Sequence, residues 1–454
     1  MKKQLHWLIA AIFVVSPLLT SCSNDDKPES TPEYATLKEA LASIDRITDI
    51  KSDPDATIVK KKQRGELDYK EAYSMFFRQD VNHDVAGGNT FQQKVCIVFR
   101  GFDRPTILVT EGYMWYDFHD AEDLSVNLNA NLVHVEHRNF GESYNRDNGV
   151  WEYETAAQTS ADLHAVFQAL KPLFKGKWMS TGNSKNGVTS IHYAYYYPND
   201  MDLTAAFCAP FMLSLADARF GDYLQNEIST EQNRKLMKQG IRKALNGGED
   251  GIIFKSVCRM FESSGMKTPA FTEYVSVVFD SFFQIFQYSL DNEKAEKLTT
   301  LANDTEALVQ QIASGIQEGS DEEYYTYYVD CILQLGCADP GYSYYADLLD
   351  NTGFDKDKVI LSFLKDEDHP LMSRYDSSLN NEVLNTFLPN TDHPVLMYYA
   401  KDDPWSAGRP TRLSPSVKLV INPVGIHKPS INDPALCPAE IKQEVMDFVG
   451  KYIY

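Results

Sequence analysis

A chain of 454 residues with a formal charge of −21 has no basic stripe to offset its acidity, which argues against a nucleic-acid partner. That length is great for one simple domain and suits a core carrying a large insertion. None of the cysteines has zinc-ribbon spacing, so no metal site is read and no cofactor is expected.

The chain opens on a processing segment. Lys2 and Lys3 precede an apolar stretch at residues 7–19, too short and wrongly flanked for a spanning helix, so it reads as a secretory signal. Leu19-Thr20-Ser21-Cys22 follows and resembles a bacterial lipobox, which makes Cys22 the expected lipidated first residue after removal of 1–21. The plainer alternative is an ordinary signal peptide with an incidental cysteine. Residues 22–50, with Asp25, Asp26, Pro28 and Pro32, are assigned to a tether. The expected location is the bacterial cell envelope, lipid-anchored to the outer membrane, on its periplasmic or its outer face. An envelope location permits disulfides. Cys331 and Cys337 are near enough in sequence to pair, whereas Cys96 and Cys208 lie in apolar strand-like runs that favour buried free thiols.

Residues 51–209 read as the first part of an α/β core. Strand-like runs at 95–99, 106–110, 131–135, 177–181 and 203–208 alternate with helical stretches at 155–174 and 186–197. Such alternation implies a mostly parallel sheet covered on both faces, with ligand sites beyond the strand C-termini. Across 210–390 the character changes. Helix formers at 233–245, 270–290 and 292–316, then a tyrosine-rich run at 321–335, describe an inserted helical cap. Strand patterns resume at 394–399 and 417–421 and a helix at 438–452 closes the chain, so 391–454 is the second part of the core.

Gly182-Asn183-Ser184-Lys185-Asn186-Gly187 lies between a strand and a helix. A serine on such a sharp turn has its hydroxyl exposed above the sheet, and the helix N-terminus behind it favours developing negative charge. The hydroxyl needs a base, normally an imidazole held by a carboxylate. Two later loops, each following a strand, offer both: Lys401-Asp402-Asp403-Pro404-Trp405-Ser406 and Gly425-Ile426-His427. Singly, these are an Asp-Pro turn and a surface histidine. Together with the serine they have the Ser, Asp, His order of the α/β-hydrolase fold. Glu111-Gly112-Tyr113 follows the 106–110 strand, so the amides of Tyr113 and Lys185 are expected to form an oxyanion hole. Losing one such donor typically costs about 3–4 kcal/mol of transition-state stabilisation. Glu136-His137-Arg138-Asn139-Phe140-Gly141-Glu142-Ser143 resembles the Arg-Gly-x-Gly-x-Ser loop of the same fold.

These loops are similar to those of the lysosomal prolyl carboxypeptidase and dipeptidyl peptidase II group. The 182–187 turn and Thr110-Glu111-Gly112-Tyr113 resemble more closely the bacterial secreted PS-10-type tripeptidyl aminopeptidases, over roughly 91–454. The resemblance implies an α/β-hydrolase fold with a large inserted helical cap. It implies a serine exopeptidase that releases short N-terminal fragments from oligopeptides through Ser184, Asp403 and His427. Asp403 is preferred to Asp402 because the family's triad acid immediately precedes Pro-Trp. The chain departs from the pattern at Asn186, where glycine is usual; asparagine tolerates unusual turn dihedrals.

An exopeptidase of this kind must capture a free ammonium, which carboxylates do well. Glu111 and Glu142, on loops expected to rim the site, are the candidates, with Asp117 beside them; the alternative for each is holding Arg138 or loop amides. Tyr324, Tyr325, Tyr327 and Tyr328 either line an entrance or form cap core. His134 and His137, on alternate faces of a strand end, are out of register for one metal, and the Lys185 side chain is expected to point into the helix start. Asp117-Phe118-His119-Asp120 is ligand-rich but has no matching cluster. Two other functions are compatible with these motifs: an esterase or lipase with the same triad, and a non-catalytic surface lipoprotein that binds peptides or glycans. A complete triad argues against the second.

Overall fold

The computed structural model describes residues 34–52, 69, 71–113, 119–143, 150–318 and 325–454. The signal segment, Cys22, Asp117 and Tyr324 lie outside the described residues. The strands are β1 (Ile47–Ser52), β2 (Glu71–Asp80), β3 (Thr90–Phe99), β4 (Thr106–Thr110), β5 (Asn131–Val135), β6 (Trp178–Asn183), β7 (Leu203–Phe207), the short β8 (Ala216–Asp217) and β9 (Cys337–Ala338), β10 (Val395–Ala400) and β11 (Val417–Asn422). All but β8 and β9 form one nine-stranded sheet in the order β1-β2-β3-β5-β4-β6-β7-β10-β11. Pairing is antiparallel from β1 to β5 and parallel from β5 to β11.

Every residue of β4, β5, β6, β7 and β10 is buried, as strands of a parallel sheet between two helical layers are. Alternation decides which layer each side chain meets. Ile107, Val109, Leu132 and Met179 pack with Leu124 and Leu128 of α2 (His119–Leu128; α1 is Leu37–Ala42). Leu108, Val133 and Trp178 face the opposite layer, where Leu163, Val166, Phe167 and Leu170 of α3 (Ala156–Leu170) and Tyr193 of α4 (Lys185–Tyr196) lie. The C-terminal helix Ala439–Ile453 adds Val445, Val449 and Ile453 to the first layer, one face at a four-residue spacing. Fully burying a side chain of that size stabilises by about 1.5–3 kcal/mol.

Between β7 and β10 the chain is mainly helical. Helices α5 (Ala218–Asn226), α6 (Glu231–Leu245), α7 (Ile252–Ser263) and α8 (Phe271–Tyr288) lead to α9 (Asp291–Asn303), α10 (Thr305–Glu318) and α11 (Tyr325–Asp330). Helices α5 to α10 share a core of their own that includes Ile241, Leu245, Phe279, Phe282, Phe286, Leu298 and Ile312, and α11 packs in a separate one.

The structure differs from the expected pattern in several places. The single helix expected at 292–316 is two. Asp304 leaves the helical region at φ −97 and ψ 120, and its carboxylate accepts from the amides of Glu306 (2.8 Å) and Ala307 (3.2 Å), restarting the helix. The tyrosine-rich run divides at Asp330, beyond which Cys331–Leu335 is a π-helical turn. The assigned tether at 22–50 overlaps α1 and β1, which belong to the folded unit beginning at Thr36. β1 buries only Ile47 firmly, so an edge strand leaves little periodic signal. Cys96 and Cys208 are buried as expected, and Cys331 and Cys337 are not bridged to each other. No described helix is long and apolar enough to cross a membrane.

Two buried histidines give this fold an acid limit. His192 Nε2 lies 2.9 Å from Asn380 Oδ1 and His393 Nε2 lies 2.9 Å from Thr204 Oγ1. Burial holds each ring down to about 4, against an ordinary 6.5. The unfolded chain therefore binds more protons in that window, and stability is lost as pH falls from 6.5 towards 4. The thermal midpoint is expected to drop over this range, and less steeply in His393→Gln; equal slopes in variant and parent would remove His393 from the account.

Candidate active site

Strand β6 ends at Asn183 and α4 begins at Lys185, so Ser184 alone makes the turn, with φ 59 and ψ −128. A non-glycine residue held there stores strain of about 1–3 kcal/mol. The surroundings allow nothing else. The Ser184 amide donates to Phe207 O at 2.8 Å, and its carbonyl accepts from the Val188 amide at 3.1 Å. Gly182 lies so close to the Asn186 backbone that a Cβ would collide with it. Ser184 remains partly exposed between buried neighbours.

Two loops beyond β10 and β11 converge on this turn. His427 Nδ1 and Asp403 Oδ2 are 2.8 Å apart, with Asp403 fully buried and its other oxygen accepting from the Trp405 amide at 3.0 Å. An ionised carboxylate only accepts, so it fixes the imidazole proton on Nδ1 and leaves Nε2 bare. Asn183, beside the serine, donates from Nδ2 to His427 O at 3.1 Å. The His427 amide donates to Gln287 O at the end of α8, at 2.9 Å, and the rings of Trp405 and Tyr288 lie 6.0 and 6.4 Å from the imidazole. Asp402 serves a different purpose. It accepts from the Ser229 amide at 3.2 Å and lies 3.5 Å from Lys294 Nζ, both in the insertion.

The loop after β4 is tied to the turn by the side chain of Asn186. Its Oδ1 accepts from the Gly112 amide at 2.7 Å and its Nδ2 donates to Glu111 Oε2 at 2.5 Å. Glu111 Oε1 faces His134 Nδ1 at 3.1 Å, and the residue is 1% exposed. Glu111 thus positions loops instead of rimming the site. Glu142 stands apart, its side chain 59% exposed and 2.7 Å from Lys94 Nζ. Each of the two carboxylates expected to capture an ammonium is thus paired within the chain. Arg138 is held by a two-pronged pair with Asp162, at 2.7 Å on each prong.

The Lys185 side chain does not point into the helix start. It is buried, donates to Gly112 O, lies 2.7 Å from Asp330 Oδ2, and passes over the rings of Tyr113 and Phe140 at 5.4 and 5.0 Å. The tyrosines of α11 divide between the two expected roles. Tyr325 packs in a core with Val329 and Ile332, and Tyr328 stacks on Phe363 at 4.7 Å. Tyr327 instead faces Tyr113, ring centres 5.5 Å apart.

One group of residues had no sequence signal as a group. His137, Glu154 and Asp330 are all buried, with their polar atoms within 4.8 Å of one another. They come from the loop after β5, the residue before the N-cap of α3, and the end of α11. Burial, and then the charge of Asp330, raise the Glu154 carboxyl well above its ordinary value. Burial also raises Asp330, against the pull of Lys185. Burial and then the Lys185 charge push His137 well below 6.5 and keep it neutral. Charge is thus disfavoured by burial on both carboxyls, and the Lys185 ammonium offsets this most at Asp330.

The mostly parallel sheet, with its turn and loops at the strand C-termini, is the α/β-hydrolase fold. The chain belongs to the PS-10 peptidase S37 family, whose sequence model matches residues 40–419, and it is a serine-type peptidase. It is 26% identical over 424 residues to a prolyl tri/tetrapeptidyl aminopeptidase from Streptomyces mobaraensis, covering 91% of this chain and 83% of that one. Among solved structures it is similar to a proline iminopeptidase from Mycobacterium smegmatis, with TM-score 0.37 and 12% identity over 83% of this chain and 98% of that one. A thermophilic esterase from Thermogutta terrifontis matches with TM-score 0.32 and 11% identity, over 83% of this chain and 99% of that one. Likeness at that level carries no functional argument.

Asn186→Ala removes the partners of the Gly112 amide and one Glu111 oxygen together. A loss of about 1–3 kcal/mol is expected, the cost of leaving a buried polar group unsatisfied. It would be read as a lower urea midpoint with an unchanged slope; an unmoved midpoint would show that Asn186 is not what ties the two loops.

Proposed function

We propose that the protein is a serine aminopeptidase that removes short N-terminal pieces from oligopeptides, with Ser184 as nucleophile, His427 as general base and Asp403 as its orienting acid. The observation that carries this reading is the 2.8 Å bond from His427 Nδ1 to a fully buried Asp403, on a loop that Asn183 ties to the strained serine turn. In this scheme His427 Nε2 takes the Ser184 proton as Oγ attacks the substrate carbonyl. The amides of Tyr113 and Lys185 receive the oxyanion. Collapse expels the leaving amine, which takes the proton from Nε2, and an acyl-enzyme on Ser184 remains. Water then attacks with His427 again acting as base, releasing the fragment. The activity named for the Streptomyces relative supports both the peptide substrate and the attack from the amino end. The Lys2/Lys3 and Leu19-Thr20-Ser21-Cys22 pattern supports a lipid anchor on Cys22 and an envelope location.

Ser184→Ala should abolish labelling by a fluorophosphonate probe, and persistent labelling would move the nucleophile elsewhere. Asp403→Asn is expected to lower kcat by roughly 10⁴-fold, the cost of misassigning the imidazole tautomer. Asp402→Asn should cost far less, and a larger loss at 402 would reverse the two roles. On cell fractionation, Cys22→Ala is expected to shift the protein from the membrane fraction to the soluble one; retention on membranes would discard the anchor.

A further inference from the structure

Glu154 and Asp330 border a cavity of about 30 Å³ that runs along α4, lined also by His137, Ser160, Lys185 and His192. A space of that size holds one or two water-sized groups. Among the described residues, the hydroxyl of Ser160 lines this cavity with no hydrogen-bond partner, although the residue is only 1% exposed. Asn139 Oδ1, on the amide that donates to Glu154, is likewise buried and unpartnered. Buried polar atoms left this way mark where a ligand or water completes the bonding.

The charges specify the ligand. Two carboxylates face the Lys185 ammonium, 2.7 Å from Asp330, and the other cation near them, Arg138, is already held by Asp162 at 2.7 Å on each prong. One carboxylate charge is left over, which a further cation would balance. A divalent metal fits poorly here, because Lys185 already occupies one carboxylate and His137 Nδ1 is engaged with Arg138 O at 2.9 Å. A primary ammonium, with three donors, suits Glu154, Asp330 and a hydroxyl together.

The position fits a peptide. Lys185, Thr189 and His192 line the cavity from α4, which places it roughly 1.5–12 Å along the helix axis from Ser184. Two or three extended residues span about 7–10 Å. We propose that the cavity between Glu154 and Asp330 binds the N-terminal ammonium of the substrate peptide, so that its distance from Ser184 limits the released fragment to two or three residues. The proposal rests on the aminopeptidase reading and adds to it the anchor and the ruler.

The test compares kcat/KM for dipeptide and tripeptide anilides with free and with N-acetylated amino ends, in the parent, Glu154→Gln and Ser160→Ala. The parent should prefer free ends strongly. Glu154→Gln should lower kcat/KM for free ends at least 30-fold, chiefly by raising KM, and bring the free-to-blocked ratio close to one. Ser160→Ala should raise KM for free ends about 3- to 10-fold. Fluorophosphonate labelling reports whether each variant is folded. If Glu154→Gln fails to fold, mass spectrometry of hexapeptide digests by the unaltered protein decides, since release of single residues overturns the ruler. A parent indifferent to blocking would end the aminopeptidase reading itself. A discriminating parent with an unchanged ratio in Glu154→Gln would leave that reading intact and place the anchor elsewhere. One equivalent of tightly held divalent metal in the purified protein would also overturn the proposal.

Discussion

Ser184 keeps a positive φ because the backbone around it has no alternative course. Its amide is committed to Phe207 O, its carbonyl begins α4, and Gly182 brings the strand against the first turn of that helix. Strain of this kind persists only where neighbouring structure over-determines it. Here a parallel sheet supplies that structure, because β6 lies centrally between β4 and β7 and cannot shift without breaking both ladders. The loops after β4, β10 and β11 then need only reach the same edge of the sheet. Asn186 fastens the first of them, and Asn183 fastens the last.

The helical insertion contributes directly to this edge. Lys294 and the Ser229 amide hold Asp402, the Tyr223 hydroxyl donates to Lys401 O, and Gln287 O receives the His427 amide. Asp330 meets Lys185 from the other side. Two adjacent aspartates thus divide the work of one turn, Asp403 facing the imidazole and Asp402 facing the insertion.

Sequence was most informative where burial is complete. β4 and β5 occupy the expected 106–110 and 131–135, where every residue is enclosed on both faces. It was least informative where one polar atom decides, as at Asp304, or where an edge strand buries little, as at β1. Ser184, Asp403 and His427 could be singled out because each lies at a strand end within a local turn motif. His137, Glu154 and Asp330 could not, since only the folded chain makes them neighbours. The Lys185 side chain was misjudged for a related reason: its direction is set by Asp330, far along the chain, and not by the helix that carries it.

The backbone bond between His427 and Gln287 has a mechanical consequence. An insertion that swung away as a rigid lid would carry the end of α8 with it and drag the imidazole from its carboxylate. The general base is thereby harnessed to the insertion, so that any displacement of the end of α8 is felt at the imidazole.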